Sequence, residues 1–207
     1  MLNRFVAALA ALCLSTVGIS ADEPTTPPEP ISPVVQLNQS CTGFHIGEGL
    51  IATAAHCISK LADHDVALSD GTVVKGTLFF LSRAPHGDDL AVIKIDTIAA
   101  QETLTLSCGS PPPVKTAIYM TGYPALYGLA TVWGRVASET RGFVGYWRVA
   151  LPINISSYGG FSGSPVMMES NDRVIGVLVG SLPENKTLAV AVPAYRLCGL
   201  LALEVGV

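Results

Sequence analysis

Short runs of apolar and β-branched residues, separated by turn residues, recur along the chain from Val34 to Val192. Runs of this length and spacing are typical of the strands of an all-β sandwich or barrel. The first set of predicted strands covers 43–46, 50–53, 66–69, 72–81 and 90–95, and the second covers 117–122, 130–138, 146–151, 165–169, 173–179 and 187–192. Asp70-Gly71, between the third and fourth strands, indicates a tight hairpin. Apolar residues at helical spacing over 195–203 predict a helix after the last strand.

Three consecutive prolines, at positions 111, 112 and 113, separate the two sets of strands. Because proline has no N–H to donate to a sheet, this segment predicts a crossing between two β lobes. We therefore predict one domain at 34–204, with lobe one at 34–107, the crossing at 108–116 and lobe two at 117–204. A chain of 207 residues, 49% of them hydrophobic, is sufficient to bury such a core.

The first 33 residues have a different pattern. Arg4 precedes a short apolar run, and small residues follow as far as Ala21, which is the pattern of a secretory signal peptide. The run is shorter than the roughly 20 apolar residues that span a bilayer. We predict a signal peptide at 1–21, with an uncleaved signal anchor as the alternative. Five prolines at 22–33 predict an extended tether or propeptide outside the fold.

Charge and histidine spacing narrow the possible partners. Only 14% of the residues are charged, the formal net charge is −4, and no basic cluster occurs, so we predict no nucleic-acid partner. A membrane is expected as a partner only if the signal segment stays uncleaved. His45 falls on a predicted strand, while His64 and His86 fall in predicted polar loops. Their spacing matches no zinc-binding pattern, and we predict neither a metal nor a cofactor.

The stretch from Ser156 to Pro165 reads Ser-Ser-Tyr-Gly-Gly-Phe-Ser-Gly-Ser-Pro, which predicts a tight loop. Its glycines would allow backbone N–H groups to converge beside the Ser162 hydroxyl, as a nucleophile with an oxyanion hole requires. A plain surface turn is the alternative for this stretch by itself. A base and an acid, which a serine nucleophile needs, occur upstream in Thr53-Ala54-Ala55-His56-Cys57 and Asp89-Leu90-Ala91-Val92.

These three segments resemble the motifs of the trypsin-like (chymotrypsin-fold) serine peptidases, in that family's order of His, Asp and Ser. The resemblance implies an all-β fold of two six-stranded barrels with a C-terminal helix, and an active site in the cleft between the lobes. It assigns His56 as the general base, Asp89 as the acid that orients it, and Ser162 as the nucleophile, with the N–H groups of Gly160 and Ser162 holding the oxyanion.

A different acid and a different enzyme class are the two alternatives to this assignment. Asp88 could be the acid by composition, but Asp89 is preferred because the family's acid directly precedes the hydrophobic-Ala pair. The G-x-S-x-G elbow of α/β-hydrolases is excluded, because Ser164 occupies its final glycine position and no histidine follows Ser162.

Four cysteines remain when Cys13 of the signal segment is set aside: Cys41, Cys57, Cys108 and Cys198. An even number in an exported chain predicts two disulfides, for which sequence alone allows three pairings. The family resemblance implies the bridges 41–57 and 108–198.

The chain departs from close relatives of trypsin at Phe161, where those enzymes carry an aspartate that pairs with a freshly cleaved N-terminus. Our hypothesis is that the protein folds directly into an active form. By position relative to Ser162, Ser156 is expected at the base of the primary specificity pocket, with Leu178, Val179 and Gly180 along one wall. These residues carry no charge, so we predict cleavage after a small or medium uncharged side chain.

The sequence therefore predicts an exported serine endopeptidase, extracellular or periplasmic, that acts on polypeptides through a Ser-His-Asp triad and an acyl-enzyme intermediate. A latent or inactive binding module on the same fold is the alternative. An esterase on this scaffold would share the same acyl chemistry.

Overall fold

The computed structural model describes residues 32–59, 63–82, 88–96, 102–125, 127–143, 147–182 and 185–205. The predicted signal peptide at 1–21, most of the predicted tether and His86 lie outside the described residues. Within these residues, no helix combines the length and the apolar character that crossing a bilayer requires.

Lobe one is a closed antiparallel barrel. Its strands are β1 (Val34–Leu37), β2 (Cys41–Gly47), β3 (Leu50–Ala54), β4 (His64–Ala67), β5 (Val73–Ser82) and β6 (Leu90–Ile95), in the spatial order β1-β2-β3-β6-β5-β4. A single 3-10 turn, Ala55–Cys57, follows β3 directly. Because Ala54 at the end of β3 pairs with Leu90 at the start of β6, the residues just beyond these two positions lie side by side.

Lobe two contains the remaining strands and the helix. They are β7 (Ala117–Gly122), β8 (Ala130–Val136), β9 (Arg141–Phe143), β10 (Trp147–Asn154), β11 (Pro165–Met168), β12 (Val174–Leu182), β13 (Asn185–Pro193) and α1 (Ala194–Val205). The sheet order is β13-β12-β11-β7-β8-β10-β9, and an added pairing of β13 with β10 closes a second barrel with β9 attached. The predicted architecture of two six-stranded barrels and a C-terminal helix is confirmed.

Three apolar cores stabilise this arrangement. One fills lobe one around Leu37, Ile51 and Ile93, and another fills lobe two around Met120 and Leu151. The third lies between the lobes, where its buried members include Phe44, Leu90, Val177, Val192 and Leu197. Each such side chain contributes about 1.5–3 kcal/mol on burial, so the third core holds the two lobes together.

Some predicted elements differ from the structure. Strands β1 and β9 were not predicted, and β8 ends at Val136 rather than at residue 138. His64, predicted to lie in a polar loop, begins β4 and is buried. Its ring lies 3.2 Å from the Asn38 side-chain amide and 3.1 Å from the Ser59 carbonyl oxygen. These two hydrogen bonds explain why a polar ring is tolerated in the interior. His45 lies on β2, as predicted.

Candidate active site

His56 and Asp89 meet at the ends of two paired strands. His56 lies in the 3-10 turn after β3, and Asp89 is the residue before β6. The His56 imidazole Nδ1 lies 2.8 Å from Asp89 Oδ2, and the His56 backbone N–H donates to Asp89 Oδ1 at 2.9 Å. The Ala55 N–H donates to the Asp89 carbonyl at 2.9 Å. Both carboxylate oxygens and the carbonyl of Asp89 are thus committed to this turn.

Burial at this pair is asymmetric. The Asp89 side chain is 9% exposed, whereas that of His56 is 45% exposed. Asp89 has φ +54°, a left-handed conformation that Asp adopts more readily than most residues. The carboxylate is therefore enclosed and fixed, while the far side of the imidazole remains open to a reacting molecule.

Asp88 forms its side-chain hydrogen bonds with a different residue, Arg196. Its Oδ2 accepts two hydrogen bonds from the Arg196 guanidinium, from Nε at 3.0 Å and from Nη2 at 2.7 Å. Arg196 belongs to helix α1, and Asp88 is only 2% exposed. Of the two adjacent carboxylates, Asp89 is the one bonded to His56.

Ser162 lies in the loop between β10 and β11, which turns sharply through two glycines. Gly160 has φ +98° and Gly163 has φ +87°, a region that residues with a Cβ rarely adopt. The Ser162 carbonyl accepts the Thr42 N–H at 2.8 Å and lies 3.8 Å from Cys57 Sγ. Because Cys57 directly follows His56, these contacts bring the Ser162 loop of lobe two against the His56 turn of lobe one.

The peptide groups of the loop have defined directions. The Gly159 carbonyl accepts a hydrogen bond from the Ala125 N–H at 2.9 Å. Since the C=O and N–H of a trans peptide point in opposite directions, the Gly160 N–H points away from Ala125. Within the described part of the chain, neither the Gly160 N–H nor the Ser162 N–H donates to another protein group. These are the two N–H groups that the sequence predicts for the oxyanion hole.

Phe161, between these two residues, is directed into the interior. Its side chain is 1% exposed and packs in the lobe-two core with Ile118 and Leu178. Apolar packing holds this residue where the trypsin resemblance would place a charged side chain.

The other predicted pocket residues are Ser156 of this loop and three consecutive residues of β12. Ser156 is exposed, and Gly180 is half-buried on β12. Leu178 and Val179 are 1% and 4% exposed, so their side chains belong mainly to the cores. The Leu178 backbone accepts from the Gly163 N–H at 2.7 Å and donates to the Ser164 carbonyl at 2.9 Å, which fixes β12 beside the loop.

Two disulfides are present. Cys41 is bonded to Cys57 directly after the His56 position, and Cys108 is bonded to Cys198 between the crossing and α1. One group of potential metal ligands among the described residues is Cys41, His56 and Cys57, whose ligand atoms lie within 4.8 Å of one another. Both sulfurs are bonded to each other, so this group offers no thiolate to a metal.

Sequence reasoning missed Thr42. This residue of β2 is fully buried and makes hydrogen bonds to Ser162, Gly160 and Tyr123, all in lobe two. Its only sequence signal is its place next to Cys41, which does not reveal partners about 80 to 120 residues away along the chain.

Several known proteins are similar to this chain. The mitochondrial protease Do-like 12 of Arabidopsis thaliana is 29% identical over 180 residues, covering 79% of this chain and 34% of that protein. A glutamyl endopeptidase of Staphylococcus aureus is 32% identical over 105 residues, covering 47% of this chain and 30% of that protein. The chain thus spans about a third of the length of these relatives.

Solved structures show the same fold. The active form of the Rv3671c protease from M. tuberculosis superposes with a TM-score of 0.70 at 19% identity, covering 82% of this chain and 79% of that one. A serine endoprotease from Yersinia pestis gives a TM-score of 0.70 at 19% identity, covering 84% of this chain and 62% of that one.

The trypsin-like peptidase domain model matches residues 41–177, a range that contains His56, Asp89 and Ser162. Together with the two barrels, this match shows that the chain belongs to the trypsin-like peptidase family.

Proposed function

We propose that the protein is a serine endopeptidase in which Ser162 is the nucleophile, His56 the general base and Asp89 the residue that orients the base. The observation that carries this proposal is the pair of hydrogen bonds from His56 to Asp89, one from Nδ1 and one from the backbone N–H. A hydrogen on Nδ1 is donated to the carboxylate, which leaves Nε2 unprotonated and able to accept the serine proton.

The chemistry follows from these positions. Ser162 Oγ attacks the scissile carbonyl carbon while its proton passes to His56, and the proton is then given to the departing amine. Asp89 stays ionised and stabilises the imidazolium that forms. Water then enters and gives a proton to His56 as its oxygen attacks the acyl carbon, and His56 returns that proton to Ser162 Oγ as the ester bond breaks.

When Ser162 attacks, the oxygen of the scissile carbonyl becomes negatively charged. The N–H groups of Gly160 and Ser162 are suited to hold it, because both lack a protein partner within the described residues. One such donor typically contributes about 3 kcal/mol to transition-state stabilisation.

Substrate and compartment belong to the same proposal. Ser156, Leu178, Val179 and Gly180 carry no charge, which supports cleavage of polypeptides after a small or medium uncharged side chain. Two disulfides are typical of proteins that fold in an oxidising compartment, which supports export from the cell.

Labelling with a fluorophosphonate tests the triad directly. We expect one adduct on the purified, oxidised protein, mapped by mass spectrometry to Ser162, and none in Ser162→Ala or His56→Ala. The same protein should cleave a peptide library without preference for Arg or Lys. A folded wild type that takes up no probe would contradict the proposal and favour a binding module on this fold.

A further inference from the structure

Thr42 connects the two lobes through its side chain as well as its backbone. Its hydroxyl donates to the Gly160 carbonyl at 2.8 Å and accepts the Tyr123 N–H at 2.9 Å. Its backbone N–H donates to the Ser162 carbonyl at 2.8 Å, and its carbonyl accepts the Thr53 hydroxyl at 2.7 Å. Every polar group of this fully buried residue is therefore bonded, and three of these four hydrogen bonds cross the lobe boundary.

The hydroxyl bond acts on the peptide that follows Gly160. The preceding peptide is fixed by the bond from the Ala125 N–H to the Gly159 carbonyl. With both flanking peptides held, the backbone angles of Gly160 and the direction of its N–H are determined. Neither Gly159 nor Gly160 has a Cβ to restrict rotation, so hydrogen bonds decide which conformation this segment adopts.

The hydroxyl lies in a closed space. A Cβ added to Gly122 would come within 2.9 Å of Thr42 Oγ1 and 2.8 Å of the Phe161 ring. A single group that both donates and accepts is needed here, since a carbonyl and an N–H converge on it from different loops. Threonine and serine provide this function in a small volume, and valine fills the same volume without it.

We propose that Thr42 is a positioning residue for the oxyanion hole, holding the Gly160 peptide of lobe two in its competent direction from strand β2 of lobe one. This inference rests on the proposed serine peptidase function. It also gives a physical reason why a chain with Phe161 next to the nucleophile needs no N-terminal ion pair. The Gly160 N–H is then held in the direction needed for catalysis only while the two lobes are packed together.

The test compares Thr42→Val, Thr42→Ser and the control Thr121→Val. Thr121 lies on β7, and its hydroxyl bonds to that of Thr131 at 2.9 Å, so the control loses a threonine hydrogen bond in which no residue of the Ser162 loop takes part. The fluorophosphonate P=O occupies the oxyanion hole during attack. We therefore measure the maximal labelling rate of Ser162 at saturating probe separately from the half-saturating concentration, on folded protein well below the unfolding temperature.

Thr42→Val should lower the maximal rate by about 10- to 100-fold with little change in the half-saturating concentration. This is less than the roughly 100- to 1000-fold cost of losing an oxyanion donor, because the Gly160 N–H is misdirected and not removed. Thr42→Ser should stay near the wild-type rate, and Thr121→Val should be unchanged. Wild-type labelling in Thr42→Val would overturn the inference, as would an equal loss in Thr42→Ser, which would indicate packing rather than the hydroxyl. If Thr42→Val does not fold, Thr42→Ala removes the hydroxyl without adding a methyl group.

A second readout does not depend on activity. The Tyr123 amide should exchange its hydrogen more slowly in wild type and Thr42→Ser than in Thr42→Val, as followed residue by residue by NMR. Equal exchange in all three would overturn the role of Thr42. Absence of labelling in wild type would instead refute the proposed function, and the exchange rates would still decide whether Thr42 holds the loop.

Discussion

Arg196 of the C-terminal helix binds Asp88, the residue directly before Asp89, whose carboxylate is bonded to His56. Both of its hydrogen bonds end on Oδ2, and Oδ1 is buried without a partner among the described residues. Cys198, two positions further along the helix, is bonded to Cys108 of the crossing. Helix α1 is thus tied both to the residue next to Asp89 and to the crossing between the lobes.

Arg196→Met is expected to destabilise the fold, because it leaves the Asp88 carboxylate buried without its counter-ion. Breaking a buried pair of this kind costs about 3 kcal/mol or more. Arg173→Met is the matched control, since among the described residues that exposed guanidinium donates to the Leu106 carbonyl alone. Chemical denaturation monitored by tryptophan fluorescence gives the free energy of unfolding. Equal values for the two variants would show that the Asp88 pair contributes no more than a surface contact.

Asp89→Asn should abolish most activity while Asp88→Asn should keep it. An amide at position 89 favours the wrong His56 tautomer, and the corresponding change in a serine peptidase triad lowers kcat by about 10⁴. Asp88 contacts Arg196 rather than His56, so its amide should reduce stability but spare the labelling rate of folded protein. The measurement is fluorophosphonate labelling of Ser162 in both variants. The reverse ranking would assign the acid to Asp88.

Patterns within the sequence were sufficient for the fold and for local motifs. Short apolar and β-branched runs predicted most strands of both barrels, because strands such as β3 and β6 are buried along nearly their whole length. Strand β1 was missed, since its four residues acquire strand structure only by pairing with β2 and β4. His64 was misplaced for the same reason, because its partner Asn38 lies 26 residues away.

Contacts between residues far apart in the chain leave no recognisable pattern in the amino-acid sequence. Thr42 lies just before the predicted strand at 43–46, and its bond to Gly160 joins positions 118 apart. Arg196 likewise reads as a polar position on an amphipathic helix, although it meets Asp88 across 108 residues. The sequence predicts which residue types carry the chemistry, whereas the residues that hold them in place emerge only from tertiary packing.

The two disulfides should separate stability from activity. By chain entropy, the bridge across 16 residues contributes about 3 kcal/mol and the bridge across 90 residues about 4.5 kcal/mol. Replacing Cys108 and Cys198 by serine should therefore cost more stability. Replacing Cys41 and Cys57 should cost more labelling rate per folded molecule, since Cys57 lies next to His56 and 3.8 Å from the Ser162 carbonyl. Calorimetry gives the stability and probe labelling gives the rate per folded molecule on the same samples. If one pair of serine substitutions lowered both quantities more than the other pair did, these separate roles of the two disulfides would be contradicted.

Tyr119 should make the fold sensitive to alkaline pH. Burial, followed by the hydrogen bond to Asp172, raises its pKa from 10.0 to about 12. A pKa that is higher in the folded state gives stability that is complete below about pH 10 and is lost as pH rises towards 12. Tyr119→Phe should show a smaller loss of unfolding free energy between about pH 9 and about pH 11, roughly one unit on either side of the ordinary tyrosine pKa. Identical pH profiles for the two proteins would refute this linkage.

Adjacent glycines in the Ser162 loop should respond differently to alanine. Gly160 has φ +98°, and a Cβ there would collide with the Tyr123 carbonyl and lie 2.7 Å from the Ala125 N. The left-handed conformation alone costs alanine about 1–2 kcal/mol, and the collision with backbone cannot be relieved by a side-chain rotation. Gly160→Ala must therefore move the loop away from the 123–125 segment, which breaks the bonds that direct the Gly160 N–H.

A Cβ on Gly159 would meet no atom within 4 Å, so Gly159→Ala is the matched control for stability and should leave the free energy of unfolding nearly unchanged. Gly160→Ala should lower both the unfolding free energy and the labelling rate of Ser162, the latter by about 100-fold, as loss of an oxyanion donor does. Denaturation and fluorophosphonate labelling check the two effects. If Gly160→Ala labelled at the wild-type rate, the direction of this N–H would not matter for catalysis, and the oxyanion would have to be held by Ser162 alone.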